Sequence, residues 1–283
     1  MKKEFNKKGY VILKKFFNSK EINSLYENLW NCSYYYLYKL KPYRNFLNKL
    51  KKNKSNFYYK FSNFYNFFEK DEKNTLHTLQ HIYAQNTEIQ SFFFTEKLKK
   101  IYSELLGIKH SQPLFLHGPN IFVNKPKTKR LLYKWHSEAR FYPKRRNFLN
   151  IWFPLFTNKN KKNGTMQIVE GSHLNFDYPI NEYIGYDKKT LNSQNNFYQK
   201  EIPSKYLKNF KKKSVEINVG DLILFERNLV HSSALNSSKD FSFALTGRLW
   251  DFSKDFTLSS NFGINENSYS RNQLNGHPDI EDY

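Results

Sequence analysis

The chain is poor in cysteine and in long apolar runs, and these absences exclude several classes of protein. Cys32 is the only cysteine among 283 residues, so neither an intrachain disulfide nor a cysteine-based zinc site can form. No apolar stretch approaches the roughly 20 residues that a membrane-spanning helix needs. The basic N-terminus is followed by only five apolar residues, 9–13, so a secretory signal peptide is not expected. A reducing cytoplasm is the expected location.

Acidic residues are also scarce. The chain has 25 Asp and Glu against 46 Lys and Arg, which gives a formal net charge of +21. Such a surface attracts phosphate backbones and anionic lipids. The excess lysine accompanies excess Asn, Phe, Tyr and Ile, all encoded by AT-rich codons, so codon bias explains the same residues. No signature of a nucleic-acid-binding module is present. Nucleic acid is therefore not expected as a partner, and the lysine runs at 159–162 and 211–213 are expected in loops.

The chain is rich in aromatic residues, and they run along nearly its whole length. With 27 Phe and 21 Tyr, a sizeable core can be buried. No internal repeat and no linker divides the sequence, so we expect a single domain over residues 1–283. Its first part, 1–111, is predicted to hold a strand at 9–17 and two helices. One helix begins at the capping-box pair Asn18 and Glu21, and the other runs from Thr95 to the stop at Gly107.

From residue 112 the pattern changes to short β-like runs separated by turn dipeptides. The predicted strands are 113–117, 121–124, 148–155, 166–169, 215–219, 222–225 and 241–249. Gly118-Pro119, Asn163-Gly164 and Gly220-Asp221 are among the turns between them. Many short strands at hairpin spacing predict a jelly-roll barrel over 112–255, followed by a C-terminal tail at 256–283. Helices followed by strands indicate an α+β domain in which N-terminal helices buttress one sheet.

The segment Trp135-His-Ser-Glu138 carries the strongest chemical signal. Residues i and i+2 of a strand project to one face, so His136 and Glu138 can both point into a barrel. His231, on a later β element, can supply a third ligand. Two imidazoles and one carboxylate on one face are the ligands of non-haem iron(II) oxygenases. Taken alone the His-x-Glu pair is weak evidence, since a lone histidine in a strand is usually a hydrogen-bonded structural residue.

In context the sequence resembles the phytanoyl-CoA dioxygenase family of iron(II)/2-oxoglutarate oxygenases. The matching segments run in order along most of the chain: residues 9–17, Glu21-Ile22, Trp135-His-Ser-Glu138, Trp152-Phe-Pro-Leu155, Asn163-Gly164, Glu170-Gly-Ser-His173, Gly220-Asp-Leu-Ile-Leu-Phe225 and His231-x-Ser233-x-x-Asn236-x-Ser238. The resemblance implies a double-stranded β-helix, a cupin-like barrel, with iron at its mouth. It further implies 2-oxoglutarate as co-substrate, O2, optional ascorbate, and hydroxylation of a small molecule.

The chain departs from the family pattern at the carboxylate ligand. The family usually has Asp where this chain has Glu138, whose longer stem carries the same charge and the same ligating oxygens. It is not the Ala or Gly that opens a halide position in related halogenases. Hydroxylation is therefore expected rather than chlorination.

A second departure concerns the anchor of 2-oxoglutarate. The family's arginine on the strand after the second histidine aligns with Ser242, and the nearest arginine is Arg248, about 20 Å further along that strand. Arg248 is the first candidate for the anchor, provided that a longer hairpin brings it into place. Trp152 and Ser242 are assigned to the same co-substrate site, although Trp152 suits core packing equally well. Three other cations are alternatives, as is weak or absent binding of 2-oxoglutarate; these cations are Lys134, Arg140 and Arg227.

Histidines other than His136 and His231 are expected to have structural or surface roles. His173 is predicted at the surface or stabilising a turn. His77 and His81 lie at i and i+4, yet no further ligand accompanies them or His110 and His117.

Two rival functions remain open: a catalytically inactive barrel used as a binding module, and an oxygenase associated with nucleic acid.

Overall fold

The structure is a computed structural model that describes residues 1–52, 56–68, 75–128, 132–141, 147–175, 177–184 and 198–251. The predicted C-terminal tail at 256–283 lies outside these residues. No helix in the described ranges combines the length and the apolar sequence that crossing a lipid bilayer requires.

Helices occupy the N-terminal part of the described chain. Their bounds are α1 Lys2–Lys8, α2 Ser19–Tyr38, α3 Arg44–Lys52, α4 Phe57–Phe68, α5 Thr75–Gln85, α6 Thr87–Phe93 and α7 Glu96–Leu106. The predicted helix starts are confirmed: the Asn18 side chain and Glu21 form a capping box on α2, and the Thr95 hydroxyl accepts from the third residue of α7. Gly107 ends α7 in the left-handed region, as predicted.

Ten strands follow or interleave with these helices in the described chain. They are β1 Tyr10–Leu13, β2 Leu114–Asn124, β3 Asn147–Leu155, β4 Met166–Val169, β5 Asn181–Ile184, β6 Tyr198–Glu201, β7 Lys212–Ser214, β8 Leu222–Glu226, β9 His231–Ser233 and β10 Ser242–Asp251. A five-stranded sheet has the order β1-β8-β3-β10-β2, a three-stranded sheet has the order β7-β4-β9, and β5 pairs with β6. All the pairings are antiparallel.

The five-stranded sheet has a helix side and an inner side, and the alternation of its side chains separates them. On the helix side, Ile151, Phe153 and Leu245 join the core cluster that contains the buried faces of the helices. On the inner side, Trp152 and Ala244 pack with residues of the three-stranded sheet in a second cluster. The helices therefore buttress one face of this sheet, and the other face is turned toward the functional side chains.

Three strand predictions need correction. The predicted strand at 9–17 is confined to Tyr10–Leu13 and is preceded by a helix, α1. Gly118-Pro119 is a bulge inside the continuous strand β2 rather than a turn: Gly118 takes φ 56°, and the register with β10 shifts there. Residues 215–219 form no ladder; only Ile217 makes a bridge, although the apolar residues at 215 and 217 are buried.

Candidate metal centre

Two distant histidines are brought side by side through their backbones. The His136 amide donates to the His231 carbonyl at 2.9 Å, and the His231 amide donates back at 2.8 Å. His231 begins β9, as expected of a strand residue, and pairs with β4 on its other side. The paired main chains hold the ring centroids 4.2 Å apart. This bridge is the local reason that the two imidazoles face one point.

Glu138 reaches the same point from a different kind of backbone. The strand rationale for His136 and Glu138 is wrong, because His136 makes only an isolated bridge and Glu138 begins a 3-10 helix, Glu138–Phe141. The amide of Ala139 donates to the carbonyl of Arg227 at 2.9 Å and fixes this turn. The side chains nevertheless converge as predicted, because a tight turn after the bridge brings the glutamate back over the two rings.

The ligand atoms of His136, Glu138 and His231 lie within 4.8 Å of one another. Glu138 Oε1 is 3.7 Å from His136 Nε2 and 3.6 Å from His231 Nε2. The other ring nitrogens are used by the main chain: His136 Nδ1 lies 2.6 Å from the Lys134 carbonyl oxygen, and His231 Nδ1 lies 2.9 Å from that of Leu229. A carbonyl can only accept, so each Nδ1 carries the proton and each Nε2 offers its lone pair to the centre.

Arg248 pairs with the carboxylate of this group. Its Nε and Nη2 donate to Glu138 Oε2 at 2.9 and 2.5 Å. Burial alone raises the pKa of Glu138, but the charge of Arg248 outweighs this effect and holds that pKa well below its usual range. Glu138 is therefore ionised, with Oε2 bound by Arg248 and Oε1 directed at the imidazoles.

The chemistry of this donor set fits iron(II). Burial lowers the pKa of His231 and favours the neutral imidazole that ligates metals. Two neutral nitrogens and one carboxylate oxygen on one side leave the other side open. The Nε2–Oε1 separations of 3.6 and 3.7 Å exceed by about 0.7 Å those of adjacent ligands at right angles with bonds of about 2.1 Å, so small side-chain movements suffice.

The cations considered from the sequence have partners elsewhere. Lys134 donates to Glu201 at 2.8 Å, Arg140 donates to the Tyr178 carbonyl at 3.2 Å, and Arg227 lies 3.8 Å from Glu226. Arg248 is paired with Glu138 at the metal site, and its role as the 2-oxoglutarate anchor stays a prediction.

Trp152 and Ser242 lie on the inner face of the five-stranded sheet, the face that also carries Ala244. Both are buried, and Ser242 Oγ has no hydrogen-bond partner among the described residues. Their role in binding 2-oxoglutarate stays a prediction.

Sequence reasoning missed Lys159. The lysine run at 159–162 was expected in a solvated loop, but Lys159 is only 1% exposed. Its backbone bridges to Ile217, and its ammonium donates to Asn124 Oδ1 at 3.0 Å, with the Trp152 ring centroid 5.9 Å away. Burial lowers the pKa of Lys159 to about 7. The only sequence signal was its position close to Trp152. The neighbouring lysines make the whole run look like an exposed loop, so the burial of Lys159 is not apparent.

His173 and His110 do not belong to this group of possible ligands. His173 is buried, so a surface position is wrong; its Nε2 lies 3.0 Å from the Asn6 carbonyl oxygen, which ties the turn after β4 to α1. His110 is exposed beside Glu96. The side chain of His77 lies outside the described residues. Within the described ranges, the triad is the only group of three such side chains placed to share a metal.

Comparison with known proteins decides the family. The sequence profile of the family described as phytanoyl-CoA dioxygenase (PhyH) matches residues 5–243. The chain belongs to the phytanoyl-CoA dioxygenase family. This confirms the resemblance drawn from the motifs and places the chain among the non-haem iron, 2-oxoglutarate-dependent oxygenases. No curated protein sequence matches significantly.

Solved structures share the fold of this phytanoyl-CoA dioxygenase family member. The 2-oxoglutarate- and 5-hydroxyectoine-bound EctD from S. alaskensis has a TM-score of 0.56 at 15% identity, covering 90% of this chain and 76% of its own. The carbocyclase SnoK from nogalamycin biosynthesis has a TM-score of 0.53 at 18% identity, covering 88% and 82%. EvdO2 from Micromonospora carbonacea var. aurantiaca, complexed with 2-oxoglutarate, has a TM-score of 0.54 at 11% identity, covering 91% of both chains.

Proposed function

We propose that this chain uses iron(II) and 2-oxoglutarate to hydroxylate a small metabolite, with iron held by His136, Glu138 and His231. The observation that carries the proposal is the convergence of two imidazole Nε2 atoms and one carboxylate oxygen from separate parts of the chain. The Nδ1 hydrogen bonds orient both rings toward that point. When bound, iron(II), O2 and 2-oxoglutarate together supply the oxidising power for attack on a C–H bond, and ascorbate is an optional addition.

In this proposal each neighbouring residue has a physical task. Arg248 grips one oxygen of Glu138, so that the longer glutamate presents its other oxygen as a single ligand. The backbone carbonyls of Lys134 and Leu229 keep the imidazoles in the ligating tautomer. Glu138 retains a carboxylate at the position, which favours hydroxylation over chlorination.

We extend the proposal to the architecture. The five-stranded and three-stranded antiparallel sheets are assigned to the two walls of a double-stranded β-helix that forms one domain with its helices. In support, the second cluster, which contains Trp152 and Ala244, has residues from both sheets. The core cluster on the helix side joins the helices to the larger sheet. The region 112–255 then contains the catalytic core, and 1–111 its buttress.

The proposed substrate is a small molecule, with an anionic one favoured by the net charge of +21. SnoK, from nogalamycin biosynthesis, and EctD, which was solved with 5-hydroxyectoine, point to small substrates. Nucleic acid is not the favoured partner, because no nucleic-acid-binding module was found in the sequence. We place the protein in the cytoplasm, with a single cysteine as support.

One observation favours a second candidate, an inactive barrel that serves as a binding module. A carboxylate already neutralised by Arg248 is a weaker metal ligand than a free one, and the ion pair can stabilise the site without metal. The two candidates differ in one measurable property, because only an oxygenase couples iron to the consumption of 2-oxoglutarate.

The test is uncoupled turnover of the purified protein. Wild type supplied with iron(II), 2-oxoglutarate and O2 is expected to form succinate slowly without substrate. His136→Ala and His231→Ala should abolish this activity, whereas His110→Ala, an exposed histidine far from the centre in sequence, should retain it. Folded wild type that binds iron but forms no succinate would support the binding module and refute the oxygenase.

A further inference from the structure

The inner face of the large sheet contains a buried positive charge that the proposed metal centre does not use. Among the residues that the structure describes, Lys159 is the only lysine or arginine with a buried side chain. Its ammonium has one acceptor there, the neutral Asn124 Oδ1 at 3.0 Å. An ammonium taken out of water without a counter-ion is costly, and an anion bound beside it would offset that cost.

The same place holds an unpartnered hydroxyl. Ser242 lies directly opposite Asn124 in the β10–β2 pair, and opposite residues of an antiparallel pair project to one face with Cβ atoms about 5 Å apart. Ser242 Oγ is fully buried and without a partner among the described residues. Lys159 bonds to Asn124, the residue that faces Ser242, so the ammonium and the hydroxyl belong to the same part of this face. An ammonium and a hydroxyl without a partner can both donate hydrogen bonds to the oxygens of a carboxylate.

Trp152 connects this place to the metal centre. The Lys159 ammonium lies 5.9 Å from the centroid of its ring. Two residues before Trp152 on β3 is Asn150, which is paired with Arg248 of the metal site, and two residues of strand span about 7 Å. Asn150 Nδ2 is also buried and lacks a partner in the described part of the chain. The inner face thus presents unused polar groups between the buried lysine and the iron ligands.

We propose that Lys159, assisted by the Ser242 hydroxyl, binds the distal carboxylate of 2-oxoglutarate. The inference rests on the proposed function, because 2-oxoglutarate is the ligand assumed. A five-carbon dicarboxylate has one end for the metal and one for a cation. Arg248, the candidate from the sequence, is instead placed against Glu138, where its charge is already matched.

The charge state of Lys159 gives the site a pH signature. Burial is the sole cause that lowers the pKa of Lys159 to about 7, so without a bound anion the amine loses its proton just above neutrality. A carboxylate beside the amine favours the charged form, so binding above pH 7 takes up a proton. The groups in contact, Asn124 and Trp152, do not titrate. Titratable residues on the neighbouring segments are Lys125, Lys161, Glu216 and Asp240, and none of them contributes to the shift.

The experiment compares two ligands that differ only at the distal end. Anaerobic, iron(II)-loaded full-length protein is titrated with 2-oxoglutarate and with 2-oxopentanoate, which has a methyl group in place of the distal carboxylate. Wild type should prefer 2-oxoglutarate by roughly 100-fold, the size expected for a buried charge pair. Lys159→Met should reduce this preference to about threefold by weakening 2-oxoglutarate alone, since Met keeps the volume of the chain but not its charge.

A matched control and a variant-free measurement complete the test. Lys161→Met makes the same change at an exposed neighbouring position and should behave as wild type. Calorimetry of the wild type at pH 8 in buffers of different ionisation enthalpy should show uptake of about one proton per 2-oxoglutarate and none with 2-oxopentanoate. This second readout does not depend on how well the variant folds.

Each outcome decides one proposal. If Lys159→Met keeps the full preference, or if binding takes up no proton, the lysine is not the anchor although the oxygenase assignment stands. If Lys159→Met weakens both ligands equally, its role is structural and the inference is wrong. If iron-loaded wild type binds neither 2-oxo acid, the proposed function itself fails.

Discussion

Lys159 should make the stability of the ligand-free protein depend on pH near neutrality. Its pKa falls from 10.5 in the unfolded chain to about 7 when folded. Below pH 7 both states hold the proton, and the folded state bears the full cost of the buried charge. Between pH 7 and 10.5 only the unfolded state remains protonated, so stability rises with pH. Lys159→Met removes this contribution and should stabilise the protein most at low pH.

The magnitude follows from the size of the shift. With a folded pKa near 7, the linkage relation gives a gain of about 2.5 kcal/mol for wild type relative to Lys159→Met between pH 6 and pH 9. Urea unfolding of both proteins at several pH values measures this difference, and taking the difference cancels the titration of other groups. Lys161→Met serves as the control. A wild-type-minus-variant difference that stays constant from pH 6 to pH 9 would refute the burial of a titrating amine.

Three further substitutions test other parts of the structure. Glu138→Ala should abolish tight iron binding and destabilise the fold by about 3 kcal/mol, because it leaves Arg248 buried without a counter-charge. The double variant Glu138→Ala/Arg248→Met should recover the stability but not the iron binding. Urea unfolding measures the stability and iron titration measures the binding; equal stability of the two variants would contradict the pairing of Glu138 with Arg248. Gly220→Ala should cost about 2 kcal/mol or more, because Gly220 has φ 93° and a Cβ there would lie 2.9 Å from a backbone oxygen; an unchanged melting temperature would contradict this. The double variant Lys159→Ala/Ser242→Arg moves the cation to the start of β10. It should restore the 2-oxoglutarate affinity that Lys159→Ala alone loses. A folded double variant with no recovery of affinity would argue against a carboxylate site shared by the two positions.

Local patterns predicted much of the fold because each has a local physical cause. The capping box at Asn18 and Glu21 marked the start of α2, since both hydrogen bonds depend on residues three apart. Gly107 marked the end of α7 for the same kind of reason, since a left-handed residue after the last turn is a local feature. Gly118-Pro119 misled, because the same dipeptide suits a turn and a bulge at an edge strand.

The site was predicted in its residues but not in its geometry. His136, Glu138 and His231 were found by type and order, yet the backbone that joins them is a single bridge followed by a 3-10 turn. Whether a residue faces inward there depends on contacts between parts of the chain nearly a hundred residues apart. Lys159 was missed for a related reason, since burial of one lysine in a run is decided by the strand segment opposite it.

The most direct test of the central claim is an anaerobic titration of the wild-type protein with iron(II) and then 2-oxoglutarate, followed by visible absorption. The account predicts a metal-to-ligand charge-transfer band that saturates with one iron and one 2-oxoglutarate per chain. The band should be absent from His136→Ala and His231→Ala and present in His110→Ala. A folded wild type that binds iron without developing the band, or a band that survives loss of both histidines, would contradict it.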